Sequence, residues 1–180
     1  TYRAAFESAA HRWEQVIVDG WDPEPLVVPQ GFLGWIPAFN GTVDDVLIAA
    51  RAVPLDGPLG LLGQAGTLGN RASNGDPYFG MMEFDSADLA DYAASGRLED
   101  LILHEMGHVL GIGLNWVIEG RIDDLLTNPT YNGAAANAAW HELGGLGKVP
   151  VEDQGGPGTR GVHWRESTFD SELMTGYSDG

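Results

Sequence analysis

Apolar residues near the start of the chain recur at three- and four-residue spacing: Phe6, Ala9, Ala10, Trp13, Val16 and Ile17. That period predicts a helix over Tyr2–Val18 with one buried stripe. The run Trp21-Asp22-Pro23-Glu24-Pro25 stops it, and shorter patterns follow. Leu26–Pro29 reads as a strand, and so does Asp45–Val53, where Val46, Ile48 and Ala50 alternate with their neighbours before Pro54 and Gly57. Leu59–Pro77 is rich in Gly, Asn, Ser and Asp, which predicts a loop with at most one short strand around Thr67. Tyr78–Phe84 predicts another strand. Helical spacing then returns, with Ser95 as the expected cap, Glu99 and Asp100 in the first turn, and Leu98, Ile102, Met106 and Val109 along one side until Gly111. From Gly113 to Gly161 the pattern is weak, apart from an Ala-rich helical piece over Gly133–Leu143.

These elements imply an α+β fold: a twisted, mostly parallel sheet of four or five strands, two main helices packed on it, and a smaller irregular C-terminal part. With 180 residues and no linker or repeat, a single domain is expected over 1–180, residues 1–111 forming an upper part and 112–180 a lower one. A monomer is expected.

Composition narrows the chemistry. A net charge of -17 repels phosphate backbones and anionic lipid surfaces, which argues against nucleic acid or membrane partners and suits divalent cations. No run reaches the ~18 apolar residues that a membrane span needs. The absence of cysteine removes disulfides, thiolate metal sites and thiol nucleophiles together. Thr1–Ala10 lacks the charged-then-apolar pattern of a signal, so an extracellular protein would have lost its signal before Thr1.

The best helix holds His104-Glu105-Met106-Gly107-His108. Two histidines at i and i+4 project from one face, so both imidazoles reach one tetrahedral zinc at ~2.0 to 2.1 Å. Glu105, one position round, can lean over the water on the metal. Neutral imidazoles leave zinc its full charge, which lowers the pKa of bound water from 15.7 to about 7. Glu105 would take that proton and later deliver it to a departing amine. A purely structural zinc site would be closed by four protein ligands and would have no use for Glu105.

Extended to Val109-Leu110-Gly111, the motif resembles the metzincins, in which the glycine turns the chain to bring in a third histidine. The usual position of that histidine is Leu114 here, and His141 and His163 remain downstream. Gly161-Val162-His163-Trp164, followed by Glu172-Leu173-Met174-Thr175-Gly176, resembles the leishmanolysin family, where an insertion separates the glycine from the third histidine. The resemblance implies a zinc-dependent endopeptidase acting on proteins or peptides, with His104, His108 and His163 as ligands, Glu105 as general base and Met174 in a methionine turn beneath the metal. His141, in the Ala-rich helix, is the alternative ligand. Tyr177 lies one residue off the spacing of the tyrosine that assists some metzincins and reads as a surface aromatic.

Metzincins place a substrate-pairing edge strand before the active-site helix, and Gly80, Met81, Met82 and Glu83 are the expected candidates. The acidic, Gly-rich stretches Asn70–Asp76 and Glu152–Gly156 are candidate calcium loops, neither matching an EF-hand. Two readings compete with the hydrolase: a catalytically inactive module stabilised by zinc or calcium, and a calcium-dependent adhesion domain in which the histidines are incidental.

Overall fold

The computed structural model describes residues 2–178, and the chain divides into two compact units, residues 1–110 and 111–180. The first holds α1 (Tyr2–Val16), β1 (Glu24–Val28), β2 (Phe39–Val43), β3 (Leu47–Val53), β4 (Gly63–Asn70), β5 (Pro77–Asp85), α2 (Leu89–Ala94) and α3 (Leu98–Val109). β5 is its central strand, parallel to β3 and antiparallel to β4, while β1 and β2 form a separate antiparallel pair.

Alternation along β5 divides two cores. Met82 and Phe84 pack with Ala9, Leu89, Tyr92, Ile102, Met106 and Val109 of the three helices. Phe79 and Met81 pack with Leu26, Val28, Ile36 and Val43 of the β1–β2 layer. α1 is fixed by Phe6, edge-on to Phe84 at 5.6 Å, and by Trp13, whose Nε1 donates to the Leu103 carbonyl at 3.0 Å. The predicted stripe ends there, since Val16 is 69% exposed.

The class is α+β, but the expected mostly parallel sheet of four or five strands is corrected. Among the described residues β3–β5 is the one parallel pair, and the sheets hold two or three strands. Residues 71–76 are too short for a crossover, so β4 must return antiparallel to β5. β4 contains the short strand expected around Thr67 but runs to eight residues, longer than expected because Gly63, Gly66 and Gly69 interrupt its alternation. Ser95 is also reassigned. It ends α2, with its hydroxyl donating to the Tyr92 carbonyl, and Gly96 at φ 78° turns the chain so that α3 starts after Arg97.

Two buried charges hold the loops of this unit. Arg71 is 1% exposed, and its guanidinium donates to the carbonyls of Asp22, Asp44, Asp45 and Pro77 at 2.7–2.9 Å. Asp85 accepts backbone N–H bonds from Leu55, Asp56, Gly57 and Ala87, which hold its carboxyl below the usual range against the opposing cost of burial.

The second unit holds α4 (Leu114–Ile118), β6 (Ile122–Asp123), β7 (Thr130–Tyr131), α5 (Ala134–Glu142), β8 (Val149–Pro150) and α6 (Glu166–Phe169). Its strands are only two residues long and pair in the order β6-β7-β8. Aromatic rings supply much of the packing, with Trp116, Tyr131 and Trp164 in mutual contact at 4.3–5.6 Å between centroids.

Residues 98–118 are apolar enough to suggest a membrane helix, with hydropathy 1.3. The backbone does not keep them in one helix: α3 ends at Val109, and Gly111 and Gly113 take φ of 103° and 107° before α4. A 12-residue helix falls well short of the ~20 residues that cross a bilayer.

Arg71→Met should lower the unfolding free energy by about 3 kcal/mol or more, because four carbonyls lose a charged donor inside the protein. Urea unfolding of the two proteins measures it, and a change below about 1 kcal/mol would show that the cradle contributes little.

Candidate metal centre

α3 carries two faces on one short helix. Leu98, Leu101, Ile102, Met106 and Val109 are buried in the core, while His104 and His108, one turn apart, are half-buried on another side. Their Nε2 atoms lie 3.0 Å apart with the rings nearly perpendicular, at 84°. Two nitrogens on one tetrahedral zinc stand about 3.3 Å apart at normal bond lengths, so the pair is close to bidentate spacing.

The helix sits close to the sheet because glycines face it. A side chain at Gly80 would meet Val109 Cγ1 at 2.4 Å, and one at Gly63 would meet Glu105 Oε1 at 2.6 Å. Thr67 Oγ1 donates to the Val109 carbonyl at 3.1 Å, satisfying one of the carbonyls left open at the helix end.

Glu105 is 4% exposed, and its Oε2 is buried with no hydrogen-bond partner among the described residues. Burial pushes its carboxyl up to about 8. A buried carboxyl without a partner is costly, and the arrangement suits a group whose partner is a ligand or water.

His163 lies in the second unit and is 5% exposed. Its Nδ1 pairs with the Thr159 carbonyl at 3.1 Å, and because a carbonyl only accepts, Nδ1 is the protonated nitrogen. The His163 carbonyl accepts from the Glu152 N–H, and Glu152 places its two oxygens on the N–H groups of Gln154 and Glu166. Met174 is 2% exposed in a turn closed by Glu172, whose carboxylate accepts from the Met174 N–H and whose carbonyl accepts from Thr175. Trp164 N–H donates to the Met174 carbonyl at 3.0 Å. Gly176 completes the turn, since a side chain there would meet Thr159 Cγ2 at 2.7 Å and the His163 ring at 3.2 Å.

His104 and His108 of the first unit, and His163 of the second, each offer one ring nitrogen of the kind that holds a metal ion. Three neutral imidazoles match the donor preference of zinc. His141 is instead exposed on α5, its Nε2 paired with the Gly147 carbonyl at 2.7 Å.

Two expectations are corrected. Gly80, Met81, Met82 and Glu83 lie on β5, which is paired on both sides by β3 and β4, so they have no edge for a peptide; Glu83 also bonds Arg51 and Gln64. The suggested calcium loops use their polar groups internally. In the first, Asn74 and Asp76 bond to each other, and in the second Glu152 spends both oxygens on backbone N–H groups.

The profile of the leishmanolysin peptidases matches residues 40–180. The chain belongs to the leishmanolysin family. Relatives include leishmanolysin of Leishmania donovani, 30% identical over 118 residues covering 59% of this chain and 20% of that protein. Leishmanolysin of Leishmania major is 27% identical over 185 residues, covering 97% of this chain and 29% of that protein. The chain therefore spans less than a third of the length of these relatives. This family is zinc-dependent, which agrees with the donor set of the three histidines.

Beyond the leishmanolysin motifs, sequence reasoning missed Gly63 under Glu105 and Thr159 and Glu152 around His163. Gly63 lacks any local signal, and the other two act through contacts that no periodicity encodes.

Burial of Glu105 sets a pH dependence in the metal-free protein. A folded pKa of about 8 against an ordinary 4.5 means that the folded state holds the proton longer. Stability from this group is full below about pH 4.5 and is lost as pH rises through about 8. Glu105→Gln should remove that loss, so the metal-free variant gains a few kcal/mol on the wild type between about pH 5 and 8.5. Thermal unfolding at the two pH values measures it, and parallel behaviour of the two proteins would contradict the assignment.

Proposed function

We propose that this chain is the catalytic part of a zinc-dependent endopeptidase, in which His104, His108 and His163 hold the metal and Glu105 is the general base. The observation that carries the reading is the pair of half-buried imidazoles, Nε2 atoms 3.0 Å apart, beside a buried carboxyl whose Oε2 has no partner among the described residues. Membership of the leishmanolysin family supports it.

Zinc, when bound, supplies a Lewis acid that lowers the pKa of a water to about 7 and polarises a carbonyl oxygen. The protein does the rest. Glu105 accepts the proton of the attacking water at its carboxylate and hands it to the amine of the departing peptide. Its burial favours the protonated form that this second transfer needs. Thr159 fixes the His163 tautomer, and the turn of Met174 and Gly176 shapes the floor beside that ring.

The peptide would lie along β4. Among the described residues that strand pairs on one side only, with β5, and its other edge can take an extended chain by main-chain hydrogen bonds. Such binding is indifferent to most side chains, which fits proteins and peptides as substrates. Placement outside the cell belongs to the same proposal.

Digestion of an unfolded protein by the zinc-loaded chain is the test. Glu105→Ala should retain zinc and lose at least about 100-fold in kcat. Equal cleavage by wild type and variant would remove Glu105 from the mechanism. His163→Ala should weaken zinc affinity more than about 100-fold by competition with a chelator. Unchanged affinity there would exclude His163 as a ligand.

A further inference from the structure

The close approach of β4 to α3 falls at one point on the carboxylate proposed as the base. An ideal Cβ on Gly63 would lie 2.6 Å from Glu105 Oε1, 3.0 Å from Cδ and 3.1 Å from Cγ. The whole outer half of the Glu105 side chain thus lies across a backbone position that has no side chain. Ordinary contact begins at 3.4 Å, so even a methyl group at 63 would require the carboxylate to move by about 0.8 Å. Gly63 pairs with Phe84 of β5, itself 1% exposed, so the strand backbone is held at this position and the Glu105 side chain is what yields.

Gly63 has no positive φ, unlike many glycines of this chain, so backbone conformation does not require glycine there. Space does. Gly80 plays a different part, since a side chain there would strike Val109 and the Gly66 carbonyl, which are core and backbone, and substitution would disturb the packing of the helix itself. Gly63 touches only the reacting side chain among its nearest neighbours.

We infer that Gly63 is a positioning residue: its missing side chain forms the seat that holds the Glu105 carboxylate in place. The inference rests on the proposed role of Glu105 and adds a determinant outside the histidine and glutamate motif. The seat also links the base to β4, the strand proposed to take the peptide, so the two share one rigid reference.

The test is Gly63→Ala in the zinc-loaded chain, with unfolded protein as substrate. Displacing a catalytic group by most of an ångström is expected to cost on the order of 100-fold in kcat. Zinc content and the thermal midpoint should stay near wild type, because the group that moves is a side-chain end. A double-mutant cycle separates positioning from general damage. In a Glu105→Ala background, Gly63→Ala should have no further effect on the residual rate, whereas mere structural damage would lower it again. Wild-type kcat in Gly63→Ala, or equal losses in both backgrounds, would overturn the inference. A wild-type chain that binds zinc but is inactive, or a Glu105→Ala variant as active as wild type, would instead refute the proposed role of Glu105.

Discussion

The rest of the molecule depends on α3 serving two environments within three turns of helix. Its period sends Leu98, Leu101, Ile102, Met106 and Val109 into a core and leaves His104 and His108 adjacent on another side. Glu105 falls between these faces and is buried without being apolar. A helix with this pattern needs a close, side-chain-free surface beneath the glutamate, which Gly63 of β4 provides, while Gly80 of β5 makes room for Val109. The architecture of the first unit can be read as the means of bringing that surface to that helix: α1 backs it through Trp13 and Phe6, and β5 sets the height of the sheet.

The second unit solves a different problem, that of holding one imidazole with little regular structure. Its strands are two residues long, so the ladder contributes few bonds. Order comes from charged side chains bonded to main chain. Glu152 joins the segments around Gln154 and Glu166 through its oxygens and reaches the His163 carbonyl through its own N–H, while Arg165 donates to the carbonyls of Val151 and Pro129. Arg71 and Asp85 do the same in the first unit. In a chain with no cysteine and 26 glycines, buried charge takes the place that cross-links hold in other loop-rich proteins.

Legibility from sequence followed the range of the interactions. The i, i+4 histidines and the stripe of Leu98, Ile102, Met106 and Val109 are local, and both were plain in the spacing. The first helix, β3 and β5 were read for the same reason, within two residues at most of their ends. Only the middle of β4, around Thr67, was legible, because Gly63 and Gly69 answer to Glu105 and Tyr78 rather than to their own neighbours in sequence. Ser95 looked like a cap until Gly96 was seen to turn the chain after it. The parallel sheet failed at a connection, since six residues cannot carry a strand across. The expected edge strand proved to be the central one, β5, because linear proximity to the helix gave no information on which strand lies outermost.

Arg71 and Asp85 perform similar tasks with opposite charges, and acid acts on them unequally. The four carbonyls around Arg71 take up no proton in the range where proteins unfold, and the guanidinium loses none. Asp85 is ionised well into acid because of its backbone donors, yet once protonated it releases its hold on Leu55, Asp56, Gly57 and Ala87. The stretch leading into β4 is therefore the acid-labile joint of this unit, and the segment cradled by Arg71 is its acid-proof one.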